Sequence, residues 1–148
     1  MEMSFNPRCP FHTAIATAAI LATVSLIYQR FARKTIERFD VDARFSDAVR
    51  YGDLVFISGQ LAEESGSITQ ETSAALASVD AALKKAGTDK SKILEVTIWL
   101  VNITEDYVGM NKVYDAWLSP GKPPARACIQ AALADSEKRI EIRVIASV

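Results

Sequence analysis

Residues 54–60 read LVFISGQ, an uninterrupted apolar run between the turn residues Tyr51-Gly52-Asp53 and the polar Ser58-Gly59-Gln60. The run is short and rich in β-branched and aromatic residues, so it reads as a strand. Successive strand side chains point to opposite faces, so both faces of this strand are apolar. A strand of that kind must be covered on both sides. The chain therefore has to supply a layer above its sheet and another below it, or borrow one from elsewhere.

The chain offers material for one layer. Ahead of that strand, residues 43–49, ARFSDAV, read as a first strand. Ser67 and Gln70 have the spacing of a capping box, and the following apolar positions Ile68, Ala75, Leu76, Val79, Ala82, Leu83 and Ala86 recur at helical spacing until Gly87. Residues 93–101, ILEVTIWLV, predict a strand with Leu94, Val96, Ile98 and Leu100 on one face. Thr104 is placed to cap a second helix, with Glu105 and Asp106 in its first turn and an apolar stripe of Tyr107, Met110, Val113, Tyr114 and Trp117. Ser119-Pro120-Gly121 ends it. Two alternating strands follow: Arg126, Cys128 and Gln130 oppose Ala127, Ile129 and Ala131, then Glu141 and Arg143 oppose Ile140, Ile142 and Val144. The order is β-β-α-β-α-β-β, an α+β sandwich with two helices on one face of a five-stranded sheet. The other face, with Trp99 and Val101, has no chain left to cover it. A partner subunit is expected there, with a ligand cleft at the seam.

A length of 148 residues suits one domain. The net charge of −1 and the lack of a basic stripe give no footprint for nucleic acid. The sole histidine, His12, stands outside the likely body, which excludes a His-based metal site or a Ser-His or Cys-His pair within it. Cys9 and Cys128 lie in segments of different character, so a reducing compartment is favoured over a disulfide framework. Residues 11–28, FHTAIATAAILATVSLIY, carry no formal charge, and up to Lys34 only Glu2 is acidic, against Arg8, Arg30, Arg33 and Lys34. Residues 1–35 are expected to be a targeting or anchoring segment and 36–148 the folded body. A mitochondrial or other organellar transit segment is the first expectation, a membrane anchor spanning residues 11–28 with a cytosolic body the second. Asn102-Ile103-Thr104 is a glycosylation acceptor only if the body enters the secretory lumen.

Arg126 stands among small and apolar residues just after Pro123-Pro124. A guanidinium on a half-buried strand suits bidentate binding of a carboxylate, or an ion pair with an internal acid. Glu141, in a similarly apolar strand, is a water-activating base or the other half of such a pair. Cys128 shares the Arg126 face as a small buried hydrophobe. Asn111 lies beside the helix stripe, the usual place for a solvated amide. Ser58 and Gly59 end a buried strand, where open amides and hydroxyls meet ligands or simply turn.

The motifs GDLVFISGQ, MNKVYDAW, PPARACIQAAL and RIEIRVIAS, in this order and spacing, resemble the RidA (YjgF) family over roughly residues 40 to 148. Within it, RFSDAV and AW…PPARACIQAAL are most similar to the YoaB-like branch. The resemblance implies a chorismate-mutase-like fold and a homotrimer with three clefts between subunits. It implies a reactive-intermediate deaminase, of the 2-iminobutanoate/2-iminopropanoate kind, that hydrolyses enamines and imines such as 2-aminoacrylate to 2-keto acids and ammonia without metal or organic cofactor. On this resemblance Arg126 binds the substrate carboxylate and Glu141 stands near the attacking water. The Cys128 backbone lines the cleft, and Ser58, Asn111 and Gly59 belong to the pocket. Phe45 falls where many members carry a lid tyrosine, keeping the ring without the hydroxyl, and Arg143 replaces an acid. The alternative is a trimer that holds small carboxylates without turnover or serves as a chaperone-like surface. Ribonuclease activity, described for some relatives, ranks below both.

Overall fold

The computed structural model describes residues 35–148. The leader expected over residues 1–35 lies, Thr35 apart, outside the described residues. Among the described residues no helix is long and apolar enough to cross a membrane.

Six strands form one mixed sheet: β1 (Ile36–Val41), β2 (Ser46–Tyr51), β3 (Leu54–Ile57), β4 (Ile93–Leu100), β5 (Ala125–Gln130) and β6 (Ile140–Ser147). Their order across the sheet is β1-β2-β3-β6-β4-β5. Only β4 and β5 run parallel, as their helical crossover requires, and every other pair is antiparallel. Helices α1 (Ile68–Lys85) and α2 (Ile103–Trp117) pack on one face. The two-helix sandwich is as expected, but the sheet has six strands instead of five. The additional strand is β1, IERFDV, whose side chains are mostly exposed. As an edge strand it is held through backbone pairing with β2 and needs no apolar face, so hydrophobic alternation does not reveal it.

Several local signals act as the sequence implies. The capping box at Ser67 and Gln70 is formed. Gly87, at φ +83°, closes α1: its N–H donates to Lys84 and that of Thr88 to Leu83, a pairing that needs a left-handed residue. Three expectations shift. The strand expected over 43–49 begins at Ser46, because residues 42–45 turn, with Asp42 N–H donating to the Phe45 carbonyl at 2.9 Å. The cap of α2 is Asn102, not Thr104; its side-chain oxygen accepts from the Glu105 N–H. Leu94 leaves the face of Val96, Ile98 and Leu100 because the β4–β6 register slips between Ile93 and Glu95, and it stands 48% exposed.

The core lies between sheet and helices. Val55, Ile57, Val96, Ile98, Leu100, Ile140, Ile142 and Val144 meet Leu76, Val79, Leu83, Met110 and Tyr114. At Gly109 of α2 a Cβ would come within 2.7 Å of Ile68 Cγ2, so the helices touch closely there. The opposite sheet face carries no layer. Leu54, Tyr51 and Ile129 are exposed on it, with Phe56, Trp99 and Ile145 half-buried.

A polar knot, buried at Glu71 and Asp106, fixes the first turns of both helices to the start of β6. The Arg139 guanidinium donates to both Asp106 carboxylate oxygens and to Glu105, while its backbone N–H donates to Glu71 at 2.7 Å. The other Glu71 oxygen accepts from Gly66 N–H. Bonds to Asp106, then to Glu105, raise the Arg139 pKa further above its already high value. Asp106 is almost fully enclosed while the Arg139 side chain is 35% exposed. Arg139→Met should therefore strand a buried charge and cost about 3 kcal/mol, the low end for a buried pair. Arg50→Met, which breaks only the exposed pair with Glu37, should cost under about 1 kcal/mol. Urea denaturation of the two variants checks this; equal losses would contradict the special role of the knot.

Candidate active site

The structure divides the expected site residues into two groups on opposite faces of the sheet. The division follows from register. Arg126 pairs with Val96, which pairs with Val144, and all three point toward the helices. Glu141 pairs with Trp99, one residue out of phase, and points to the uncovered face. Within one protomer Arg126 and Glu141 therefore form no ion pair.

The first group is built on β5 and α2. Arg126 Nη1 donates to Asn111 Oδ1 at 2.7 Å, and Nη2 donates to the Tyr107 hydroxyl at 3.4 Å. The guanidinium lies over the Tyr114 ring, 4.8 Å from its centroid. Tyr107, Asn111 and Tyr114 stand at i, i+4 and i+7, so one helix face holds the arginine from three sides. Among the described residues Arg126 meets no carboxylate, and three of its five N–H donors have no partner. Asn111 is thus an anchor for Arg126, not a solvated amide. Beside it opens a cleft of about 600 Å³ lined by Ile103, Thr104, Tyr107, Val108, Arg126 and Cys128. Burial raises the Cys128 pKa, with the Arg126 charge pulling the other way. Cys128 therefore stays a thiol at neutral pH and is a poor nucleophile. Burial likewise raises the Tyr114 pKa, again opposed by Arg126. Its enclosed hydroxyl has no hydrogen-bond partner among the described residues.

The second group sits where β3 ends beside β6. Gln60 exchanges backbone bonds with Ile142, and its side-chain amide donates to Ser58 Oγ at 3.1 Å. This fixes Ser58-Gly59-Gln60 against the strand that carries Glu141. A Cβ at Gly59 would lie 1.7 Å from Glu141 Oε1, so the carboxylate occupies the space that a side chain would fill. Glu141 is half-buried and has no hydrogen-bond or ion-pair partner among the described residues. Phe45 is 54% exposed in the turn that leads into β2. Ser58 N–H donates to the Asp47 carbonyl at 2.9 Å, which ties the end of β3 to β2. Arg143 is exposed on the same sheet face as Glu141, paired in register with Thr97.

The arrangement offers a guanidinium able to take an anion and, separately, an unpaired carboxylate able to take a proton. Among the described residues no group of three or more His, Cys, Asp or Glu is placed to hold a metal ion. Tyr114, a core residue as its place in the apolar stripe implies, also lies under Arg126, while Tyr107 from the same stripe is 40% exposed and contacts Arg126. Their i, i+4, i+7 spacing with Asn111 is the signal that marks them.

Gly59 has no left-handed φ, so alanine is tolerated by the backbone and the clash with Glu141 is its main effect. Gly59→Ala should cost less than about 1 kcal/mol of stability yet move the carboxylate, and any chemistry that uses it should fall by about 10²-fold. A crystal structure of the variant with Glu141 unmoved would refute this.

The family model described as Endoribonuclease L-PSP matches residues 35–148. The RutC family protein YoaB of Escherichia coli K12 is 37% identical over 114 residues, which cover 77% of this chain and 99% of that protein. The 2-iminobutanoate/2-iminopropanoate deaminase of Rattus norvegicus is 31% identical over 109 residues, 69% of this chain and 78% of the rat protein. A YjgF-family protein of known structure from Neisseria meningitidis matches with a TM-score of 0.76 at 38% identity, covering 78% of this chain and 96% of that one. With the two-helix, mixed-sheet fold and the motif residues in place, the chain belongs to the RidA (YjgF) family and is YoaB-like.

Proposed function

We propose that this protein hydrolyses small enamine and imine carboxylates, such as 2-aminoacrylate, to 2-keto acids and ammonia, acting as a homotrimer with its clefts between subunits. The observation that carries the reading is Arg126: a preoriented guanidinium without an acid partner, at an open cleft. The imine deaminase among the relatives adds the reaction class. The uncovered apolar sheet face supports association, and the two site halves on opposite faces give association a chemical purpose. A cleft between protomers joins the Arg126 group of one to the Glu141 group of the next.

The reaction needs little machinery. The enamine takes a proton at its terminal carbon and becomes an iminium, which is already electrophilic. Arg126 binds the carboxylate in bidentate fashion and fixes the adjacent carbon. Water adds to that carbon while Glu141 accepts one of its protons. Glu141 passes that proton to the nitrogen of the tetrahedral adduct, the C–N bond breaks with its electron pair leaving on ammonia, and the hydroxyl gives its proton back to Glu141 as the carbonyl forms. Acid–base help of this kind is worth about 10²–10⁴-fold.

Keto-acid release from freshly generated 2-aminoacrylate tests the reading. Arg126→Ala should lower kcat/KM by at least about 10²-fold, and Arg126→Lys should rescue poorly because it lacks the planar fork. Glu141→Gln keeps the shape but cannot accept a proton, so kcat should fall more than KM rises. Thermal midpoints should stay near that of the unmodified protein. A trimer that binds carboxylates but shows no turnover would support the alternative, a non-catalytic binding protein.

A further inference from the structure

We propose that the Tyr107 hydroxyl is a second donor to the substrate carboxylate, making Tyr107 a specificity-determining residue for anionic over neutral substrates. The proposal rests on the carboxylate-binding role of Arg126 given above. Two phenols touch that arginine, and their surroundings separate them. Tyr114 lies beneath the guanidinium with its hydroxyl enclosed. Tyr107 is 40% exposed and lines the cleft, so its hydroxyl is within reach of a ligand there.

The direction of the Arg126–Tyr107 bond matters. The guanidinium can only donate, so the phenol oxygen accepts from Nη2, at 3.4 Å. The phenol proton is then uncommitted among the described residues. Accepting from a cation polarises the O–H and makes it a better donor to an anion. A carboxylate has about four lone-pair sites, and a bidentate arginine fills two of them, which leaves room for another donor. Tyr107 stands beside the fork that fills those two. The long 3.4 Å contact suits a residue held loosely until an anion draws both groups together.

The test uses the full chain and two unreactive probes, 2-oxobutanoate and 2-oxobutanamide, titrated calorimetrically into the unmodified protein, Tyr107→Phe and Arg126→Ala. Tyr107→Phe should weaken 2-oxobutanoate by about 10-fold, the usual effect of losing a hydrogen bond to a charged group, and leave the amide unchanged. With 2-aminoacrylate the same variant should raise KM and leave kcat in place, a split that a merely structural residue would not produce. Thermal midpoints should agree. If Tyr107→Phe binds 2-oxobutanoate as the unmodified protein does, the proposal is overturned while the deaminase reading stands. If the unmodified protein binds 2-oxobutanoate with the expected dependence on Tyr107 but does not hydrolyse 2-aminoacrylate, the deaminase reading fails and the Tyr107 assignment stands.

Discussion

The two-residue repeat of β-strands, carried in fixed register across β5, β4 and β6, is the constraint on which the site depends. It locks Val96, Ile98, Leu100, Ile140, Ile142 and Val144 into the core. A slip of one residue would turn that whole set outward. The same register turns Arg126 toward the helices and Glu141 away from them. The energy that fixes the fold thus also separates the two groups best suited to chemistry. Within one protomer they cannot cooperate across the sheet, and a protein that uses both has to bring a second copy to its open face. The exposed Leu54 and Ile129, with half-buried Phe56, Trp99 and Ile145, give that copy apolar area to cover.

Each half of the site is prepared before any ligand arrives. Asn111 and Tyr114 hold the guanidinium in one orientation, so little of its freedom remains to be lost on binding. Helix α2 is held in turn by the knot of Arg139, Asp106, Glu105 and Glu71. Arg139 lies two residues before Glu141 on the same stretch of chain, so one network, partly buried, braces the frame of both halves. Gly59 completes the second half by what it lacks: its missing side chain is the seat of the Glu141 carboxylate.

Much of this was legible in the sequence. The doubly apolar strand at Leu54–Ile57 announced an uncovered face, and the alternation around Arg126 and Glu141 announced strands with one polar face each. The motif order identified the family. What was hidden had physical causes. Strand β1 is an edge strand with charged residues on both faces, and backbone pairing leaves no hydrophobic signature. The bulge that exposes Leu94 comes from pairing with β6, which lies some fifty residues further along the chain. Tyr107, Asn111 and Tyr114 looked like stripe and flank because periodicity tells which face a residue is on, not what it touches there. Nor does alternation within single strands say whether Arg126 and Glu141 share a face. That requires the order β6-β4-β5, which only the folded sheet supplies.

The most direct measurement mixes two variants that are each expected to be inactive, Arg126→Ala and Glu141→Gln. They are unfolded together, refolded, and assayed with 2-aminoacrylate. If a cleft takes its arginine group from one protomer and its carboxylate from the next, random assembly leaves about a quarter of the clefts with both groups intact, since each contact in a closed ring joins two different surfaces. The account predicts that activity returns to about that fraction of the unmodified protein, while either variant refolded alone stays inactive. A mixture that associates normally and remains inactive would contradict a site shared between protomers.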